Sequence, residues 1–135
     1  MNKTYLNEFH AQNNGNLVDF SGWEMPINYG SQIIEHNEVR TNVGIFDVTH
    51  MAVFDFCGDN QVEFLRYLIP NDVNKILDSK RAIYSPLLNE TGGILDDLIV
   101  YHLGDRNFRI ISNCATRDQN LSLIHISEPT RPSSI

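Results

Sequence analysis

The run Gly92-Gly93-Ile94-Leu95-Asp96-Asp97-Leu98-Ile99-Val100-Tyr101 limits what this chain can fold into more than any other, because two acids interrupt an otherwise continuous apolar strand. Side chains of an extended strand alternate between its faces, so adjacent acids cannot share one. The alternation predicts Asp96 on one face with Ile94, Leu98 and Val100, and Asp97 on the other with Leu95, Ile99 and Tyr101. If both faces are covered, one carboxylate sits among buried neighbours and must be neutralised or supplied with hydrogen-bond donors. Such acids often mark ligand sites, but structural ion pairs perturb carboxylates too. The residue pattern alone leaves both readings open and favours the structural one.

The surroundings of that strand predict an antiparallel sheet. Ala82 to Leu88 and Phe108 to Ser112 are strand-like, and Asn89-Glu90-Thr91-Gly92-Gly93 and Gly104-Asp105-Arg106-Asn107 are hairpin-type connections. Upstream, Ile45 to Val48 and Met51 to Cys57 read as strands and Gln61 to Leu68 as a helix stopped by Pro70, with an irregular polar linker after it. Nearer the N-terminus, Tyr5, Leu6 and Phe9 recur at helical spacing from Thr4 to about Gln12. Leu17 to Phe20 reads as a short strand and Ser21 to Pro26 as an irregular stretch. Ser31 is placed to cap a second helix carrying Ile33 or Ile34, Val39 and Val43, with Gly44 at its end. Mixed helices and an antiparallel sheet make an α+β pattern. From Ser122 to Ile135 turn residues replace apolar periodicity, and a frayed tail is expected.

Composition excludes several classes. A net charge of −7 with no dense Lys/Arg cluster argues against nucleic acid or an anionic membrane surface as partner. No apolar stretch is long enough to span a bilayer, and the first residues resemble neither a secretion nor a transit signal, so a cytoplasmic location is expected. Cys57 and Cys114 are far apart and the five histidines fall at no metal-ligand spacing, so no metal is assigned. His50 and Trp23 are read as structural, and Asp47 and Asp55 as turn or hairpin-face acids.

Several segments in order resemble one family. Val18-Asp19-Phe20-Ser21-Gly22-Trp23-Glu24-Met25-Pro26, Tyr29-Gly30-Ser31, Glu35-His36, Val39-Arg40-Thr41 and Gly44-Ile45-Phe46-Asp47-Val48-Thr49-His50-Met51 look like successive signatures of the glycine cleavage T-proteins, the aminomethyltransferases. Asn71-Asp72-Val73, Ala82-Ile83-Tyr84-Ser85, Leu88-Asn89-Glu90, the Gly92 to Tyr101 run and Asn113-Cys114-Ala115-Thr116-Arg117 continue the resemblance in register.

The resemblance implies a protein that takes the aminomethyl group from the lipoyl arm of a partner H-protein, passes its carbon to tetrahydrofolate and releases ammonia. It implies Asp96 as the essential carboxylate beside the reduced pterin, and Met51, Tyr84, Leu98 and Asn113 as residues lining the folate pocket. For Met51 and Leu98, plain core packing is the stronger reading on residue type alone. The resemblance also implies a much longer protein whose first domain is discontinuous. Residues 1–50 would then be that domain's first segment, 51–121 an incomplete inserted α+β domain, and 122–135 a tail foreign to the family. On that view the present chain is inactive alone. Related folate-binding modules, in iron–sulfur assembly factors or in dimethylglycine and sarcosine dehydrogenases, are the alternative that the same resemblance allows.

Overall fold

A computed structural model describes residues 1–79 and 81–127. The chain forms two compact units, Met1–His50 and Met51–Ile135.

The first unit is built on a small three-stranded sheet in the order β1-β3-β2, with β1 spanning Asn2–Lys3, β2 Leu17–Phe20 and β3 Trp23–Pro26. The stretch expected to be irregular is therefore a strand. The reason is local: Ser21 and Gly22 both adopt positive φ, of 51° and 83°, the conformation a two-residue hairpin loop needs to match strand twist. The Asp19 carboxylate accepts from Gly22 N at 2.8 Å and closes the turn, which pairs Phe20 with Trp23.

Helix α1 covers only Asn7–Gln12, and α2 covers Gln32–Thr41. Ser31 caps α2 as expected, its hydroxyl accepting from Ile34 N at 3.4 Å. The expected apolar faces are not buried, however. Tyr5, Leu6, Phe9, Ile33, Ile34 and Val39 are all exposed, whereas α1 buries Asn7 and His10. Gly44 does not cap α2, which ends at Thr41 with Asn42 as its cap, and Ile45 to Val48 form no strand. This unit packs around polar side chains, so a reading of apolar periodicity misjudged which residues face inward.

The second unit is a four-stranded antiparallel sheet in the order β4-β7-β6-β5, comprising Ala52–Cys57, Asn107–Ser112, Ile94–Gly104 and Ala82–Leu88. Helix α3, Gln61–Leu68, buries Phe64, Leu65 and Leu68 against one face of it. The supposed linker after Pro70 contains a short helix, α4 at Asn74–Leu77, because Val73 and Ile76 reach the same core. Helix α5, Arg117–Ser127, replaces the first part of the expected frayed tail. Ile124 is buried in the core and Leu123 packs on it, since a few apolar residues one turn from Asn120 suffice to dock the helix. Residues 128–135 lie outside the described part of the chain.

The sheet alternates as its central strand predicts, with Asp96, Leu98 and Val100 inward and Asp97 and Tyr101 exposed. Ile94 is the exception. A bulge pairs Leu87 with Asp96 but Leu88 with Ile94, so Leu95 is an extra residue and Ile94 turns outward.

Candidate functional site

Strand register brings one end of the sheet into line. Ala52, Ser112, Leu98 and Ser85 lie in one row across four strands and all face the interior. The next row holds Asn113 just past β7, Asp97 on β6 and Pro86 on β5, with Met51 directly before β4. Asp96, one step further, pairs with Leu87 and returns to the inner face.

Asp96 is 8% exposed, and its carboxylate is sheathed by donors. Oδ1 accepts from Asn113 Nδ2 at 2.7 Å. Oδ2 accepts from Thr116 Oγ1 at 2.6 Å and Asn120 Nδ2 at 2.5 Å. Burial alone would raise the pKa of this group, but the hydrogen bonds from Thr116, Asn113 and Asn120 outweigh it and hold the carboxyl below its ordinary value. Asp96 is consequently an ionised acceptor at neutral pH.

Asp97 occupies the other face. Its Oδ2 accepts from the Tyr84 hydroxyl at 2.9 Å, and its Oδ1 from Asn113 Nδ2 at 3.1 Å. That bond to Asp97 is the main reason the Tyr84 phenol is raised above its usual range, with the charge of Asp97 second. Tyr84 is 65% exposed and forms one wall of an open cleft with Asn71, Lys75, Arg81 and Ile83. Asn71 secures the strand beside it by donating to the Tyr84 carbonyl at 3.1 Å.

Of the residues singled out from sequence, Asp96 and Asn113 are in direct contact, and Met51 is half-buried at the same end of the sheet. Tyr84 lies on the open face with Asp97, joined to Asp96 only through Asn113. Leu98 is 2% exposed within the apolar core, where it packs like its neighbours Val100 and Ile110.

Sequence reasoning missed Thr116 and Asn120 as site residues. The signal was there: Asn113, Thr116 and Asn120 are donor side chains spaced three and four apart, the spacing of one helix face. Also missed was a polar network in the first unit. His10 Nε2 meets Asp47 Oδ2 at 2.9 Å and His10 Nδ1 meets the Tyr29 hydroxyl at 2.5 Å. Asp47 accepts from Thr49 as well, through its backbone N at 3.0 Å and its hydroxyl at 2.6 Å. Burial pushes Asp47 up, but His10, Thr4 and Thr49 together hold it far below the usual carboxylate range. Thr4 acts there by proximity, since its buried hydroxyl makes no hydrogen bond of ordinary geometry. His50 sits edge-on to Phe20 at 5.4 Å between ring centres, a packing role. Among the described residues no group of His, Cys, Asp and Glu side chains is arranged to hold a metal ion, and no helix is long and apolar enough to cross a membrane.

An antiparallel sheet with a strand acid turned inward onto a loop-and-helix clamp defines an α+β module with a built carboxylate site. The model of the GCVT N-terminal domain matches residues 6–131, and the chain belongs to that family. It is 51% identical over 122 residues to aminomethyltransferases from two strains of Xanthomonas campestris pv. campestris, covering 90% of this chain and 33% of theirs. The crystal structure of glycine cleavage system aminomethyltransferase T from Bartonella henselae superposes with a TM-score of 0.83 at 33% identity, over 93% of this chain and 35% of that one. The chain thus spans about a third of the length of the curated relatives it matches.

Proposed function

We propose that this chain is the N-terminal part of a glycine cleavage aminomethyltransferase, a transferase that uses tetrahydrofolate as co-substrate and a lipoylated H-protein as partner. Membership of the family and 51% identity to curated aminomethyltransferases support the activity. The observation that carries the site is the Asp96 carboxylate, inward-facing and donor-clamped at the end of the sheet. In the same reading residues 1–50 contribute the first segment of a discontinuous folate-binding domain and 51–121 most of an inserted α+β domain, and the protein works in the cytoplasm.

In the reaction, two folate nitrogens bond in turn to the aminomethyl carbon as its bonds to the lipoyl sulfur and to the amino nitrogen break, and the two folate N–H protons leave with the sulfur and the amine, giving dihydrolipoyl H-protein and ammonia. Positive charge develops on the carbon–nitrogen unit as these bonds part. A carboxylate kept ionised is suited to orient a folate N–H and to stabilise that charge. The same low pKa makes it a weak base, so electrostatic stabilisation is assigned to Asp96 ahead of proton abstraction. Met51 supplies apolar contact for the pterin and its aromatic tail, Asn113 a placed amide, Tyr84 a flat edge with a hydroxyl, and Leu98 the packing beneath Asp96.

The test is made in the complete protein with aminomethylated H-protein and tetrahydrofolate, following methylenetetrahydrofolate formation. Asp96→Asn keeps shape and removes charge, and should lower the rate by about a hundredfold or more. Asp97→Asn should leave far more activity. Equal losses from the two variants, or a fully active Asp96→Asn protein, would sink the assignment.

A further inference from the structure

Asp96 Oδ2 points inward, and two side chains close a triangle with it. Thr116 Oγ1 and Asn120 Nδ2 both donate to this oxygen, and the same amide nitrogen lies 3.2 Å from Thr116 Oγ1 and 3.1 Å from Ser112 Oγ. The Thr116 hydroxyl therefore donates to the carboxylate while accepting from the amide. Chemistry dictates how the amide points, because an ionised carboxylate only accepts and the nitrogen must face it. The consequence falls on the other end of the amide. Asn120 is 2% exposed, and its Oδ1 is buried with no hydrogen-bond partner among the described residues.

Buried polar atoms left unpaired are uncommon in native folds, and each calls for a reason. Packing does not provide one here, since an apolar side chain of similar volume would leave no orphan carbonyl. Both amide hydrogens are committed to the small cluster under Asp96 instead. Oδ1 is treated differently: among the described residues its one side-chain donor is Asn113, which is only half-buried, and so it keeps acceptor capacity on the accessible side. Thr116 directly precedes α5, so the inner oxygen also meets the partly positive start of that helix.

We propose that Thr116 and Asn120 are positioning residues for aminomethyl transfer, tethering Oδ2 of Asp96 so that Oδ1 is the oxygen offered to the substrate. This rests on the transferase reading given above. The tether fixes one rotamer of Asp96 and keeps it charged through neutral donors, which leaves its charge available to the cation of the reacting group. Among the described side chains, the titratable groups on the surrounding elements are Asp97, Tyr101 and His102 on β6, Tyr84 on β5, Arg109 on β7, and Arg117 and Asp118 on α5. None of their side chains hydrogen-bonds to the Asp96 carboxylate. Arg109 is engaged by Asp55 in a two-point ion pair at 2.7 and 2.8 Å, and Tyr84 by Asp97.

Thr116→Val and Thr116→Ser in the complete protein separate positioning from packing, because the first keeps shape without the hydroxyl and the second keeps the hydroxyl. Two quantities are read: the titration of the Asp96 carboxyl by carbon-13 NMR, and the acid limb of the pH profile of kcat/KM for methylenetetrahydrofolate formation. In Thr116→Val both should move up together by about one pH unit, and Thr116→Ser should bring both back. Asn120→Leu should shift them further, and if that variant does not fold the Thr116 pair decides. An Asp96 titration unmoved in Thr116→Val, or a Thr116→Ser protein as impaired as Thr116→Val, would overturn the tether. A carboxyl titration that moves while the acid limb stays would overturn its part in the transfer. A wild-type protein forming no methylenetetrahydrofolate would refute the transferase reading instead, and the NMR titration would still judge the tether by itself.

Discussion

The two units of this chain are organised on opposite principles. The second has a continuous apolar core, in which Leu65, Leu87, Val100, Phe108 and Ile110 are essentially inaccessible and one acid sits at the margin. The first buries Met25 as its main hydrophobic residue and otherwise Thr4, Asn7 and His10, with Asp47 at the centre of their hydrogen bonds. Its large apolar side chains, among them Phe9, Phe20, Ile33 and Phe46, are exposed. Burial of apolar area is what usually drives a domain to fold, and hydrogen bonds add less net stability each. The second unit therefore has its own reason to fold, whereas the first is a set of local turns and caps joined by a polar knot.

The largest effect that could break this contrast comes from the apolar core. Phe108→Ala should remove about 4 kcal/mol of stability. Native-state hydrogen exchange should show the loss in β6 and β7 amides, with the β2–β3 hairpin unchanged. If both units lose protection equally, they unfold as one and the contrast fails.

Next in size is the polar knot. Asp47→Ala leaves His10 without its buried partner and should destabilise the first unit by about 3 kcal/mol, visible as faster exchange in α1 and the hairpin. Acid sharpens the same point. Because the folded pKa of Asp47 lies below its unfolded value, near 3.9, its contribution is fully present above that value. It is lost as the pH falls through the folded pKa, so the first unit should lose protection in strong acid in the wild type but not further in Asp47→Ala.

The smallest expected effect is also the most diagnostic. Ile33 is 75% exposed on α2, and Ile33→Ser should change stability by no more than about 0.5 kcal/mol. A loss several times larger would mean that the apolar faces of the first unit are covered in solution, and light scattering would then show association.

Legibility from sequence followed the same division. In the second unit every strand and the α3 helix could be read, because an apolar core imposes period two or period three-and-a-half on the residues that face it. The opposite orientations of Asp96 and Asp97 came from the same rule. In the first unit, apolar spacing pointed to Tyr5, Leu6 and Phe9 while the buried positions were Thr4, Asn7 and His10, polar residues that no hydrophobic pattern reveals. The candidate site was half legible for a related reason. A strand acid shows itself against apolar neighbours, but the donors that hold it lie far along the chain, Asn113 and Thr116 in the turn before α5 and Asn120 within it, polar residues that no apolar period picks out.

The bulge at Leu95 carries a consequence of parity. A strand has only two phases, and the extra residue lets Asp96 keep phase with Leu98 and Val100 while Ile94 falls into the opposite one. One uncharged residue inserted between Asp97 and Leu98 would exchange the two acids, sending Asp97 inward and turning Asp96 to solvent, with the charge of the strand unaltered. The chain's arithmetic, as much as its chemistry, selects the carboxylate that Thr116 and Asn120 hold.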